Sequence, residues 1–195
     1  DGVPVWQIAG PVPDEIRAQS PSALDYTARA LHSVVERLDR QDRFSLVACA
    51  EQALTLVPSM DGDRRAELVA GIARLRSVRL GEEKDLTSGM RLGLAELAHA
   101  GAPGTVRRLF LLTDGFTEHA DACMALARQA AEAGVSISTL GLGGEFQDDL
   151  LTGLADVSGG RASFMRRAEQ IPAAVAAELD AARSVAAQAL QLELH

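Results

Sequence analysis

Arg107-Arg108-Leu109-Phe110-Leu111-Leu112-Thr113-Asp114-Gly115 is the stretch on which the fold turns. A short apolar run ends in one carboxylate and then a glycine. Such a run reads as a strand buried on both faces, which belongs inside a parallel sheet. The carboxylate then emerges at the carboxyl edge, where open α/β sheets carry their ligand sites.

Downstream of this strand the alternation is regular. An alanine-rich helix is expected over about 119–133, stopped by Gly134. Val135-Ser136-Ile137-Ser138-Thr139-Leu140 reads as the next strand. Leu150, Leu151, Leu154 and Val157 mark a helix, with Asp148-Asp149 as its acidic first turn. Ser158-Gly159-Gly160 is a turn before a short strand over 162–165. Ile171, Val175 and Leu179 share one face of a last helix, and Pro172 is tolerated in its first turn. Leu190, Leu192 and Leu194 alternate with polar residues, the pattern of a strand of a following unit.

Upstream, Val3-Pro4-Val5-Trp6-Gln7-Ile8 reads as a first strand, followed by a proline-containing loop over 9–22. Leu24, Ala28, Leu31, Val34, Val35 and Leu38 recur at helical spacing. Strands at 44–49 and 53–57 are joined too closely for a helical crossover, so they are expected to be antiparallel. Leu68, Val69, Ile72 and Leu75 mark a helix. The charged loop Gly81-Glu82-Glu83-Lys84-Asp85 precedes another, marked by Leu86, Met90, Leu94 and Leu97 and capped by Asp85. Alternating strands and helices predict a doubly wound α/β sandwich of three layers, its central sheet mostly parallel with one antiparallel edge strand. The domain is expected over 1–184, with 185–195 as an extension.

The 195 residues suit one domain with a proper core. Apolar residues make up 47% and charged residues 24%, the mixture of a globular protein. The formal charge of −8 argues against nucleic acid and anionic lipid as partners. No apolar run reaches membrane-spanning length, so no membrane insertion is expected. Cys49 and Cys123 read as two buried free thiols, and with no targeting segment in view a cytoplasmic location is expected.

Asp42-Arg43-Phe44-Ser45-Leu46-Val47, Leu111-Leu112-Thr113-Asp114-Gly115, Gly134-Val135-Ser136-Ile137-Ser138-Thr139-Leu140-Gly141-Leu142-Gly143 and Ser158-Gly159-Gly160 occur in the order and spacing of a von Willebrand factor type A domain. The chain resembles that family over about residues 3–184. The resemblance implies a Rossmann-like sheet and a non-catalytic module that binds proteins, usually through a divalent cation at the carboxyl edge. In the family that cation is held by an Asp-x-Ser-x-Ser motif after the first strand, a threonine before the middle helix and an aspartate ending the fourth strand. Here the first element reads Ala9-Gly10-Pro11-Val12-Pro13, the threonine position falls at or near Lys84, and only Asp114 remains. One carboxylate without hydroxyls is a poor Mg²⁺ site. The resemblance therefore implies a degenerate metal-ion-dependent adhesion site and no cofactor.

Two further readings of the edge stay open. Lys84 is either a solvated loop residue or an ammonium seated in the metal's place and paired with Asp114. Alternatively, Asp14, Glu15 or Glu82 joins Asp114 in a reorganised Mg²⁺ or Ca²⁺ site. In the main reading Asp14, Glu15, Glu82, Lys84, Asp114 and His119 touch a protein partner, with other domains of a longer bacterial-type parent chain as neighbours. His119 is expected to cap a helix or contact the partner. Catalysis is not expected: Gly141-Leu142-Gly143-Gly144 lacks a third glycine at Phe146, no nucleophile elbow or phosphate-binding loop occurs, and His32, His99 and His119 fall on different elements. Arg107-Arg108 and Arg166-Arg167 read as solvated strand ends.

Overall fold

The computed structural model describes residues 21–80, 85–98, 105–114, 117–144 and 147–188, with side chains described through Ser184. The expected first strand at 3–8, the loop 9–20, the charged positions 81–84 and the alternating tail 190–194 lie outside the described residues.

The described strands form two sheets. Strand β1 (Arg43–Cys49) pairs antiparallel with β2 (Ala53–Asp61), as the short connection requires. Strands β3 (Arg107–Thr113), β4 (Val135–Leu142) and β5 (Ala162–Met165) run parallel in that order. β2 runs four residues beyond the expected end at Val57 because Pro58 does not stop it. The register with β1 shifts on either side of Leu46, and a proline without an amide donor is tolerated at such an irregularity.

Helices cover both faces. Helix α1 (Ala23–Arg37) begins with a capping box in which Ser22 and Asp25 satisfy each other's backbone amides. Helix α2 (Arg65–Ala73) follows β2 and tightens into a 3₁₀ turn (Arg74–Arg76). Helix α6 (Ile171–Gln188) packs against α1. It continues past position 184 to Gln188. These helices close one core, in which Val35, Leu68, Ile72 and Ile171 meet Leu140 of β4. Helices α3 (Leu86–Ala98), α4 (Ala120–Glu132) and α5 (Asp148–Ser158) close the other. There Met90, Cys123, Leu126 and Leu154 meet Leu111 and Ile137. The alternation along β4 decides the split: Val135 and Ile137 face one layer, Leu140 the other.

Glu96 and Ser158 are among the side chains that join strands to the helical layers. Glu96 of α3 accepts bonds from the Ser59 amide at 2.8 Å and the Thr55 hydroxyl at 3.1 Å, which pins α3 to the irregular part of β2. Ser158 at the end of α5 accepts the Ile137 amide at 2.9 Å and donates to its own helix. Gly134 and Gly159, both at φ 70°, supply the left-handed residues that end α4 and α5.

Candidate rim of the sheet

The strands β3, β4 and β5 end together at the carboxyl edge. Asp114 follows Thr113 directly and is exposed. Next to it, the amide of Gly143 donates to the Met165 carbonyl at 2.8 Å, closing the ends of β4 and β5. Gly143 holds φ 102°, a conformation that L side chains rarely adopt.

The N-terminus of α3 is fixed to the same edge. The Asp85 amide donates to the Ala50 carbonyl at 2.9 Å, just past β1. The Asp85 carboxylate accepts the amides of Thr87 at 3.0 Å and Ser88 at 3.3 Å, so it caps α3 as its position in the sequence predicts. Its Oδ1 is thereby committed to the helix. One turn in, the Thr87 hydroxyl lies 3.4 Å from the Cys123 sulfur, which couples α3 to α4 inside the core.

His119 stands at the N-cap position of α4, but its side chain makes no capping bond. The capping expectation for His119 is corrected accordingly: the Thr117 hydroxyl accepts the His119 amide at 3.5 Å. Thr117 is itself buried, and its amide donates to Gln147 ahead of α5. The loop after β3 is thus anchored from beneath, while Asp114 and His119 stay exposed above it. Asp14, Glu15, Glu82 and Lys84 lie outside the described residues, and so does the pairing of Lys84 with Asp114. Among the described residues, no group of three His, Cys, Asp or Glu side chains is arranged to hold a metal ion.

Thr117 and Gln147 escape sequence reading. A threonine two positions before a helix cap is the one local signal for the first, and nothing flags the second. Cys49 also departs from expectation. It is exposed at the end of β1, not buried, because its strand finishes at the rim. Its sulfur nevertheless rests on α3 where Gly89 has no side chain; a Cβ there would come within 2.5 Å of it. Desolvation by this contact, and then the Asp85 carboxylate, push the Cys49 thiol pKa up. Burial, with a smaller push from Asp85, raises that of Cys123 as well, against the lowering effect of the Thr87 hydroxyl.

A doubly wound α/β fold with helices on both faces places any ligand site at the carboxyl edge of its parallel strands. The chain belongs to the von Willebrand factor type A domain family, a family of protein-interaction modules, whose profile matches residues 17–177. It is 28% identical over 144 residues to the protein sll0103 of Synechocystis sp. strain PCC 6803, covering 73% of this chain and 33% of that protein. It is 26% identical over 141 residues to YfbK of Escherichia coli K12, covering 70% of this chain and 24% of that protein. The chain therefore spans about a third and a quarter of the lengths of these curated relatives. Among solved structures, BatB from Bacteroides thetaiotaomicron superposes with a TM-score of 0.67 at 18% identity, over 85% of this chain and 90% of that one. That likeness concerns the fold.

Asp114 and Asp85 bring carboxylates to this edge, and Asp85 spends an oxygen on helix amides. No helix among the described residues is long and apolar enough to cross a membrane.

Proposed function

We propose that this domain is a non-catalytic interaction module that grips a protein partner through the loops at the carboxyl edge, around Asp114 and His119, without a bound divalent cation. The observation that carries the reading is an exposed Asp114 at the end of β3; the resemblance, which puts the family's ligand threonine at or near Lys84, supports it. A carboxylate on an anchored rim is a ready acceptor for a partner's arginine or lysine. The partner is a protein, and neighbouring domains of a longer parent chain are natural candidates, since both relatives are several times longer than the matched segment. Asp14, Glu15, Glu82 and Lys84 complete the contact surface in this reading.

The test is a crosslinking pull-down from cells that make the parent protein, run on the native domain with and without chelator and on Asp114→Ala. Captured partners should persist in chelator and be lost with Asp114→Ala. Loss of capture on chelation would overturn the metal-free part and favour a Mg²⁺ or Ca²⁺ site with unusual ligands. Undiminished capture by Asp114→Ala would overturn the rim.

A further inference from the structure

Helices α1 and α2 leave a cleft of about 330 Å³ between them. Its floor is apolar, formed by Ala28, Ile72 and Ala73. Its rim carries Arg29, His32 and Arg76. Two exposed apolar side chains continue the floor at helical spacing: Leu24, 49% exposed, lies one turn before Ala28, and Val69, 40% exposed, one turn before Ala73.

The charge of this cleft runs against that of the chain. The whole sequence carries −8. In the cleft the one carboxylate, Asp25, is paired with Arg76 at 2.6 Å and also bonded to Ser22. Arg29 lies over the Tyr26 ring at 5.3 Å and makes no ion pair among the described residues. That leaves one guanidinium unneutralised beside an imidazole, above an apolar floor. Solvent-facing apolar side chains next to an uncompensated guanidinium fit a ligand with carboxylates on one side and aliphatic groups on the other.

We propose that the α1–α2 cleft is a docking groove for an acidic, leucine-bearing peptide segment of a protein partner, separate from the loops of the carboxyl edge. Leucines of the segment lie on Leu24, Val69 and Ala73, and its glutamates or aspartates face Arg29, Arg76 and His32. Helix-in-groove recognition uses this division between apolar anchors and a charged rim.

The probe is a short amphipathic peptide of glutamate with leucine along one helical face, titrated into the ¹⁵N-labelled chain and followed by amide chemical shifts. Shifts should move at residues 28–32 and 69–76, while 114 and 117–119 stay in place. Replacing the glutamates by glutamine, or introducing Arg29→Glu, should each weaken binding about tenfold or more, as removal of a complementary rim charge does. Val69→Asp should weaken it too, and circular dichroism melts would verify that each variant is folded. Equal binding of the glutamine peptide, shifts centred elsewhere, or unchanged binding by both folded variants would overturn the proposal. So would the same shifts produced by inorganic phosphate alone, which would make the cleft a small-anion site. Slower tumbling without peptide, abolished by Val69→Asp, would put a second copy of the chain there and overturn it as well.

Discussion

Arg108 and Glu178 face each other inside the protein, Nη1 3.8 Å from Oε2, with side chains 9% and 2% exposed. Arg108 lies near the start of β3 and Glu178 on α6. Arg161, ahead of β5, approaches the other oxygen of Glu178 at 3.7 Å from a largely exposed position. The Nε of Arg108 and the Oε2 of Glu178 are buried without a hydrogen bond. The expectation that Arg107-Arg108 form a solvated strand end is therefore corrected for Arg108. Only Arg107 reaches outward, to the Ala133 carbonyl. Strand alternation sends neighbouring side chains to opposite faces, and α6 covers the face that Arg108 enters.

A buried pair held at this distance stabilises little by itself but is costly to break. Arg108→Met should destabilise the domain by about 3 kcal/mol, because Glu178 stays buried with only the exposed Arg161 beside it. The double variant Arg108→Met/Glu178→Met should recover most of that loss. Urea unfolding of both singles and the double closes the cycle. A double variant as unstable as Arg108→Met would show that the two charges are not coupled.

The capping box at α1 predicts a pH dependence. Backbone and side-chain bonds from Ser22, then the Arg76 guanidinium, hold the Asp25 carboxyl below its ordinary pKa. A carboxylate with a lowered folded-state pKa adds stability above its unfolded pKa and loses it as pH falls through the folded one. The stability gap between the native chain and Asp25→Ala should therefore be widest at neutral pH and close on acidification below the ordinary carboxylate range. Ser22→Ala should cost about 1 kcal/mol at neutral pH. A gap that widens in acid would contradict the assignment.

Gly160 is required by close approach. A Cβ there would run into the carbonyl group of Ile137, which is backbone and cannot yield. Gly160→Ala should cost about 3 kcal/mol, the upper range of overpacking. Gly144→Ala, where a Cβ meets nothing within 4 Å, should change stability by no more than about 0.5 kcal/mol. Denaturant midpoints for the two variants make the comparison, and equal losses would show that the turn after α5 is looser than described.

The cysteines should differ in reactivity. Cys49 is exposed with a raised thiol pKa, and Cys123 is buried behind Thr87. Slow modification of Cys49 at neutral pH is expected, with Cys123 reacting only on unfolding. Asp85→Asn keeps a good helix cap and removes a negative charge, so it should speed the Cys49 reaction. Mass spectrometry of timed alkylation reads this directly, and Cys123 reacting first in the folded protein would refute it.

Much of the architecture follows from the sequence alone. Apolar period gives α1, α3 and α5, and alanine content with the Gly134 stop gives α4, within a residue or two. The continuous run at 107–113 gives a parallel strand, and the short link between 49 and 53 gives antiparallel pairing. Helix ends follow from Gly134, Gly159 and the acidic turn of Asp148 and Asp149, because capping is chemistry between near neighbours. At the rim, Asp114 is placed by the end of its strand, and Asp85 by the helix it caps.

What only the tertiary structure decides is which distant groups meet. Nothing local to Arg108 distinguishes it from Arg107, and Glu178 lies in an ordinary helical pattern. Their burial together depends on how α6 crosses β3. The exposure of Cys49, the anchoring of the rim by Thr117 and Gln147, and the cationic cleft between α1 and α2 have the same origin. Local pattern reports the face a residue takes on its own element, while partners and desolvation are set by the elements packed against it.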